Sequence, residues 1–220
     1  MIQITNHESR IANLQAIVDV EVAQRAGWRP DDLARAYLDG GARFLQLRAK
    51  RLSAGLFLDL CDSVVRAAES YGAQVIVNDR IDLARASGAA GVHVGQDDLP
   101  PADARLQLGP GAIVGFSTHS VSQIEAALHE PITYLAVGPV FGTATKETGY
   151  TAVGLELVAT AARLAGDLIP IVAIGGITLE RAPAVLEAGA WCVAVIGDLV
   201  ASDDPSLRVR DYVTALAGRA

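Results

Sequence analysis

The feature that most constrains the fold is the repeated alternation of short apolar runs with helical patterns along the whole chain. Eight runs have the length and composition of β-strands: 14–19, 44–48, 74–78, 91–95, 113–117, 134–137, 171–174 and 192–196. Eight helical patterns alternate with them, near residues 31–40, 55–71, 81–88, 101–108, 120–129, 154–165, 179–189 and 206–217. Several runs, such as IPIVAIGG and WCVAVIG, are apolar at successive positions, which is typical of parallel strands covered by helices.

Eight strand–helix units within 220 residues predict a closed (β/α)₈ barrel, the TIM barrel, as one domain over residues 1–220. Residues 1–10 are expected to form a loose tail. The alternative is an open doubly wound sheet, which rarely shows eight units so evenly spaced. In a barrel, catalytic groups lie at the C-terminal ends of the strands. The polar residues that end each strand are therefore the candidates for function.

The charge balance limits the class of partner. The chain has 18 Lys and Arg against 25 Asp and Glu, a net charge of −7. An acidic chain is a poor non-specific ligand for nucleic acid or an anionic membrane. We therefore expect small-molecule partners, no nucleic acid and no membrane, and the composition leaves room for a homo-oligomer. A phosphorylated ligand would need a local cationic site.

The N-terminus and the cysteines indicate a cytoplasmic protein. The first ten residues, MIQITNHESR, lack the pattern of a secretory signal, and no apolar stretch approaches the roughly 20 residues that span a bilayer. Cys61 and Cys192 lie in apolar runs and are expected to be small core residues in a reducing compartment. A disulfide between them is the remote alternative.

Strand two ends in a concentration of polar groups. In QLRAK, residues 46–50, alternation places Gln46, Arg48 and Lys50 on one face that points into the barrel mouth. A solvated strand end is the simpler interpretation. Two cations converging inward would nevertheless be costly without an anionic partner. The pattern favours an anion site.

Strands three and four end in acidic residues. Asn78 and Asp79 follow strand three, and Asp98 follows strand four. Each could simply cap a helix or form a polar turn. Together they place carboxylates on adjacent strand ends beside the strand-two cations. Mg²⁺ usually takes one or two carboxylates and completes its shell with water and substrate phosphates. The sequence therefore predicts a Mg²⁺–diphosphate site.

Strand five supplies a hydroxyl and a nearby histidine. Ser117 could donate to a phosphate oxygen or cap the following helix. His119 could act as a general base, although a role at the surface or behind the site is the preferred interpretation. His93, within strand four, is expected to be an inward-facing structural histidine.

The last three strands predict a second anion site. Thr143, Thr145 and Lys146 lie in a long loop after strand six, and a loop of this length suits a mobile lid. Glycines follow strands seven and eight, at Gly175, Gly176 and Gly197. The loops after these two strands are the usual phosphate site of a barrel. Two anion sites, one for a metal-bound diphosphate, indicate a transferase that displaces diphosphate.

Six motifs in this order resemble the thiamine-phosphate synthase family: QLRAK, VNDR, GVHVGQDD, GFSTH, GPVFGTATK and IGGI, within residues 46–177. The resemblance covers nearly the whole predicted barrel. It implies a Mg²⁺-dependent transferase that joins hydroxymethylpyrimidine diphosphate to a thiazole phosphate and releases diphosphate. The substitution would be dissociative, so that diphosphate departs before the thiazole nitrogen bonds to carbon.

The resemblance also implies roles for individual residues. Those expected to contact the pyrimidine diphosphate are Gln46 at the ring and Arg48, Lys50, Asn78, Ser117 and Lys146 at the diphosphate. Asp79 and Asp98 would ligate Mg²⁺. The thiazole phosphate would be held by Thr143, Thr145, Gly176, Ile196 and Gly197. Catalysis would depend on Arg48, Lys50, Ser117 and Lys146.

The sequence departs from the family pattern at three places. Gly197 stands where the family commonly has serine, which implies weaker binding of the thiazole phosphate. Gln15 stands where an aromatic residue is frequent. Asp198 follows Gly197, and because its charge would repel a phosphate it is expected to point away.

Three rival functions remain. A thiazole isomerase on the same barrel would use a histidine such as His119 and no Mg²⁺, but it would have no use for the diphosphate residues. A non-catalytic barrel could bind a phosphorylated metabolite and regulate a partner. A Schiff-base aldolase would need Lys50 or Lys146 in an apolar pocket, and neither has one in the sequence pattern.

Overall fold

Eight parallel strands close into a barrel in sequence order. The computed structural model describes residues 11–142 and 151–217, so the predicted tail lies outside it. Each strand pairs with the next along the chain, and the first also pairs with the last, so the sheet has no free edge. The strands are β1 Leu14–Asp19, β2 Phe44–Arg48, β3 Gln74–Asn78, β4 Gly91–Val94, β5 Ile113–Thr118, β6 Tyr134–Val137, β7 Ile171–Ile174 and β8 Cys192–Val195. The predicted TIM barrel is confirmed, and no predicted strand is off by more than one residue at either end.

The helices depart from the prediction at two places. Within the described residues they are α1 Val20–Arg25, α2 Pro30–Asp39, α3 Ala54–Glu69, α4 Ile81–Ala86, α5 Pro101–Leu108, α6 Val121–Ala127, α7 Gly154–Ala165, α8 Ala182–Glu187, α9 Gly197–Val200 and α10 Pro205–Leu216. The expectation of one helix per strand is wrong for α1 and α9. Both are too short for a helical period to stand out in sequence. A local signal for α1 exists, because the Asp19 carboxylate caps it by accepting from Val22 N at 3.0 Å.

Alternation along each strand divides the apolar residues between two cores. On β2, Phe44 packs inside the barrel, while Leu45 and Leu47 belong to the layer between the strands and the helices. The inner core is narrow and is filled by side chains such as Ile17, Ile76, Ile113, Tyr134 and Val172. Residues two positions further along these strands therefore face the mouth.

Two smaller expectations are also settled. Cys61 and Cys192 are buried free thiols, and burial raises the pKa of Cys61 to about 12. The disulfide alternative is wrong. None of the described helices combines the length and apolar character needed to cross a membrane.

Candidate active site

The tips of β1, β2 and β3 hold a group of paired charges. Arg48, the last residue of β2, forms an ion pair through its Nη1 with the buried Asp19 carboxylate at the tip of β1. The Lys50 ammonium lies 2.5 Å from Asp79 Oδ2 at the tip of β3. The two cations therefore pair with carboxylates on opposite sides of β2, Arg48 toward β1 and Lys50 toward β3. Without a ligand, however, their anionic partners are carboxylates of the chain itself.

Asp79 is held in an unusual conformation. Its φ of 63° is the only positive value at a non-glycine among the described residues. Burial raises the pKa of the Asp79 carboxyl, the neighbouring Asp98 raises it further, and Lys50 opposes both. Asp98 is itself fixed, because its Oδ2 accepts from Gly95 N at 2.8 Å. The structure therefore brings the two predicted metal ligands together.

The donors at these two strand tips fit Mg²⁺. No group of three or more His, Cys, Asp or Glu side chains able to hold a metal occurs in residues 11–142 and 151–217. Mg²⁺ requires fewer protein ligands, commonly one or two carboxylates with water and phosphate oxygens. Burial raises the pKa of Asp79 most and the neighbouring Asp98 raises it further, so a bound cation would stabilise the charged form of this pair.

A glutamate that the sequence analysis overlooked positions the loop after β2. Glu21, in the first turn of α1, accepts with Oε1 from Lys50 N at 3.0 Å and from Arg51 N at 2.9 Å. Its Oε2 is buried and has no hydrogen-bond partner within the described part of the chain. Because α1 was not predicted, nothing in the sequence placed this carboxylate near the strand-two loop.

Beside the charged group, a cavity of about 400 Å³ opens among the tips of the later strands. Its polar lining includes Gln46, His93, Ser117 and His119. Gln46 is buried on the inner face, as alternation predicts, and Asn78 is buried at the end of β3. His93 is inward-facing, as expected, but it also lines the cavity.

Buried polar groups connect the cavity wall to the barrel interior. His93 Nδ1 lies 2.8 Å from the Tyr134 hydroxyl, and its Nε2 lies 2.8 Å from Ser117 Oγ. Gln15 Nε2 donates to the same tyrosine oxygen at 3.3 Å, and Gln46 Nε2 donates to Gln15 Oε1 at 3.4 Å. Ser117 is thus part of a network that spans five strands.

The loops after β7 and β8 form the far wall of the cavity. Gly175 and Gly176 have φ values of 106° and 62°. A Cβ on Gly176 would lie 2.5 Å from Gly142 O, so the chain passes too closely there for any side chain. Ile196 and Gly197, where α9 begins, also line the cavity. The predicted second anion site therefore has its glycine turns in place.

An arginine that the sequence analysis did not select lies at these turns. The Arg181 side chain lines the cavity, donates with Nη1 to Gly176 O at 2.8 Å and stacks 4.7 Å above the Phe141 ring. It comes seven residues after the end of β7, beyond the strand tip where function was sought. Its only sequence signal is an Arg near a glycine turn.

The Asp198 carboxylate is bonded to α10, although the residue also lines the cavity. Its Oδ2 accepts from Tyr212 Oη at 2.6 Å and from Arg208 Nη2 at 2.9 Å, both on α10. Leu179 N donates to the same oxygen at 3.2 Å. Asp198 therefore ties α9 to α10 and to the loop after β7, and Arg208 offsets its charge.

Three of the predicted site residues cannot be located. Thr143, Thr145 and Lys146 lie outside the described residues, as does most of the predicted lid loop. His119, which was expected behind the site or at the surface, lines the cavity, and its Nδ1 lies 2.6 Å from Gly138 O.

Comparison with known proteins points to one family. A family model described as thiamine monophosphate synthase matches residues 16–199. The chain is 41% identical to a thiamine-phosphate synthase of Mycobacterium bovis, covering 96% of this chain and 98% of that protein. It is 40% identical to one from Acidothermus cellulolyticus, covering 97% and 100%. A solved thiamine phosphate pyrophosphorylase from Pyrococcus furiosus superposes with a TM-score of 0.84 at 27% identity, covering 96% of each chain.

Proposed function

Since the chain belongs to the thiamine monophosphate synthase family, we propose that its mouth binds two phosphorylated substrates side by side. The protein is a transferase that forms thiamine phosphate. The substrates are 4-amino-2-methyl-5-hydroxymethylpyrimidine diphosphate and a thiazole phosphate. The observation that carries the proposal is the contact of Lys50 with the Asp79 carboxylate beside Asp98, next to a cavity ending in glycine turns.

The first substrate would lie across the tips of β2 to β5. Gln46 contacts the pyrimidine, and Arg48, Lys50 and Asn78 contact the diphosphate together with Ser117. Asp19 holds Arg48 in place before the ligand arrives, and Asp79 keeps Lys50 at the strand tips. The ion pair at Arg48 reduces the cost of ordering that long cationic side chain on binding.

Asp79 and Asp98 would hold Mg²⁺, and Mg²⁺ would neutralise charge on the diphosphate. The Asp79 carboxylate, on a left-handed backbone, lies beside Lys50. A hydrogen bond from Gly95 N holds the Asp98 carboxylate. With Mg²⁺ on these carboxylates, Lys50 would be released from Asp79 and could turn to the diphosphate.

The thiazole phosphate would lie at the tips of β7 and β8. Backbone N–H groups at Gly176 and Gly197 would donate to its oxygens, with Ile196 packed beside them. Thr143 and Thr145 are assigned to the same end of the site from their motif, whereas Lys146 is assigned to the diphosphate. Arg181 adds a cation at the glycine turns, where the family's common serine is replaced by Gly197.

The reaction requires the C–O bond between the pyrimidine methylene and diphosphate to break, with its electron pair leaving on the diphosphate. The thiazole nitrogen then donates its lone pair to the methylene carbon, and a C–N bond forms. The residues need not supply a strong base or a covalent nucleophile. Arg48, Lys50 and Lys146 stabilise charge on the departing group, and the cavity wall aligns the two rings.

The rival functions explain less of the site. A thiazole isomerase would have no use for the carboxylate pair beside Lys50. A regulatory barrel would not need a second phosphate position. We place the reaction in a reducing cytoplasm, in keeping with two buried free cysteines.

The test is diphosphate release that depends on both substrates. The purified protein is mixed with each substrate alone and with both, with Mg²⁺ or with EDTA. Release should require both substrates and should fall sharply in EDTA. Lys50→Met should lower the rate by about 10²-fold, while Arg66→Met on α3 should not. Isomerisation of the thiazole alone, or full activity in EDTA, would contradict the proposal.

A further inference from the structure

We propose that Gln46, Gln15, Tyr134, His93 and Ser117 form one hydrogen-bond chain with a fixed direction. This polar chain turns the Gln46 carbonyl and the Ser117 hydroxyl hydrogen toward the substrate. The inference rests on the proposed function for the identity of the ligand groups, but the direction of the chain can be measured without any substrate.

The five side chains are close together, and their surroundings are mostly apolar. Gln15 and Gln46 are each 2% exposed, Tyr134 is fully buried and His93 is 8% exposed. All of them except Tyr134 line the cavity. Buried polar groups must be hydrogen-bonded, so every donor here has to find an acceptor.

The Tyr134 hydroxyl hydrogen fixes the direction at the centre. Gln15 Nε2 donates to the tyrosine oxygen, so the tyrosine's own hydrogen goes to His93 Nδ1 at 2.8 Å. Burial raises the pKa of Tyr134 far above its ordinary value, so the phenol keeps this hydrogen. His93 is then the neutral tautomer with its hydrogen on Nε2.

The hydrogen positions at the centre determine which atoms of Ser117 and Gln46 remain for a ligand at the two ends of the polar chain. His93 Nε2–H donates to Ser117 Oγ at 2.8 Å, so the serine hydrogen turns to another acceptor, which an anionic ligand would provide. At the other end Gln46 Nε2 donates one hydrogen to Gln15 Oε1, and its other hydrogen lies toward the Tyr134 hydroxyl, which leaves Gln46 Oε1 for a ligand donor. The opposite direction would point the serine hydrogen at His93 and a lone pair at the ligand.

Packing holds the tyrosine at the centre of the chain. Phe44 meets its ring edge-on with centroids 5.9 Å apart, and His93 stacks on it at 5.6 Å. Gly115 on β5 leaves the room for this ring, because any Cβ there would overlap it. The tyrosine oxygen is thus fixed relative to strands β1 and β4.

The direction has a consequence for specificity. A ligand with an amino group at the Gln46 end and an anion at the Ser117 end satisfies both ends of the chain. A 4-oxo pyrimidine would place an oxygen against Gln46 Oε1. We therefore infer that the polar chain selects the 4-amino pyrimidine diphosphate over its 4-oxo analogue.

The tautomer of His93 tests the direction in the free protein. The chain contains four histidines. Uniform ¹⁵N-histidine labelling of the full chain, with His93→Gln to assign its signals, gives the tautomer from long-range ¹H–¹⁵N spectra near pH 7.5. We expect hydrogen on Nε2 and a bare Nδ1. Hydrogen on Nδ1, or on both nitrogens, would overturn the proposal even if the synthase activity is intact.

Tyr134→Phe tests the consequence. It removes the donor to His93 Nδ1, so the hydrogen of His93 can move to Nδ1 and Nε2 can accept from Ser117 Oγ. The serine hydrogen is then no longer available to the ligand. In the native protein Ser117→Ala should lower kcat about tenfold, the size of one hydrogen bond. In the Tyr134→Phe background it should cost nearly nothing, and preference for the 4-amino substrate should shrink.

Phe44→Leu is the matched control. It loosens packing on the same ring but removes no polar group, so it should lower stability and leave the His93 tautomer and the Ser117→Ala penalty unchanged. Equal Ser117→Ala penalties in the native and Tyr134→Phe proteins would overturn the proposal. If Tyr134→Phe does not fold, the tautomer measurement on the native protein still decides.

Discussion

At the scale of single residues, the conformation and the charge of Asp79 are both energetically unfavourable. Asp79 combines a left-handed backbone, a partly buried carboxylate and a carboxylate neighbour. A raised carboxyl pKa means that its charged form is disfavoured in the fold. The protonated form of Asp79 is therefore favoured in the folded protein. Its contribution to stability is fully present only below the pKa of Asp79 in the unfolded chain, and it is lost as pH rises through the pKa in the folded protein.

Asp79→Asn should therefore separate stability from activity. At pH 7 in EDTA the variant should unfold at the same temperature as the native protein or higher, because a desolvated charge is removed. Asn also tolerates the left-handed backbone. Turnover with Mg²⁺ should fall by about 10²-fold or more. Thermal unfolding followed by Trp fluorescence and the diphosphate-release assay measure the two effects.

Asp79→Ala is the comparison variant. It removes the same charge but places a less tolerant residue at positive φ, so it should be less stable than Asp79→Asn by about 1 kcal/mol. If Asn were the less stable of the two, the explanation from the left-handed backbone would be wrong.

Arg181→Gln should weaken binding of the thiazole phosphate specifically. Loss of one charge-assisted contact should raise KM for that substrate about tenfold or more, with little change in KM for the pyrimidine diphosphate. The unphosphorylated thiazole alcohol should react equally with the native protein and the variant. Steady-state kinetics with both acceptors measure this difference.

Arg163→Gln, on the exposed side of α7, supplies the control for loss of positive charge in general. It should behave as the native protein does. Equal losses for phosphorylated and unphosphorylated thiazole in Arg181→Gln would show that Arg181 supports the loop and not the phosphate.

At the scale of elements, a short helix organises the loop that carries Lys50. Helix α1 begins directly after β1, so its first turn reaches across to the loop after β2. Glu21 there accepts from two successive backbone N–H groups, at Lys50 and Arg51. The loop is therefore positioned by its neighbour in the barrel, and not by its own sequence.

Glu21→Ala should loosen this loop without touching the substrate. Losing its backbone contacts should cost about 1 kcal/mol of loop order and raise KM for the pyrimidine diphosphate by about fivefold. Glu21→Gln keeps one carbonyl acceptor and should restore most of the affinity. Initial rates at varied pyrimidine diphosphate measure both variants.

Gln24→Ala, exposed on the same helix, tests whether α1 itself is responsible. It should leave KM unchanged. A rise in KM as large as that of Glu21→Ala would place the effect in helix stability and not in the carboxylate.

At the scale of the whole molecule, the closing helix α10 packs against α2 near the β1–β8 seam. Gly40, after α2, lies against it so closely that an added Cβ would overlap Ser206 O and come 2.7 Å from Val209 Cβ. The Asp198 contacts with Arg208 and Tyr212 tie the same helix to α9. Helix α10 therefore contacts both α2 and the short helix α9.

Gly40→Ala should destabilise the protein without a specific effect on the site. Overpacking should cost about 1–3 kcal/mol, and each kcal/mol should lower Tm by about 2–4 °C. Thermal unfolding measures the loss, and KM for both substrates should be unchanged below Tm.

Gly55→Ala is the opposite case on the same scale. Gly55 lies exposed in the first turn of α3 with nothing within 4 Å of an added Cβ. The change should stabilise the protein by up to about 1 kcal/mol.

For Gly40→Ala, by contrast, stabilisation would show that the α2–α10 contact is loose.

Much of the site could be anticipated because strand tips in a barrel share one rim. Gln46, Asn78, Ser117 and Gly176 lie where their motifs placed them. Asp19 and Glu21 were not anticipated, because each acts on residues of the neighbouring β2 and its loop. Arg181 was not anticipated, because it lies seven residues beyond the tip of β7. Short helices such as α1 and α9 leave too few residues for a period to be recognised.

The sequence by itself determined the barrel, its strands and the face of each strand, because alternation and helical periodicity are local and repeat eight times. It also determined the family, through motifs at the strand ends. Only the tertiary structure decided which groups are partners: Arg48 with Asp19, Lys50 with Asp79, and Gln15 with a tyrosine 119 positions away. Partner choice depends on the register of neighbouring strands and on closure of the sheet, and these arise from packing between segments distant in the chain.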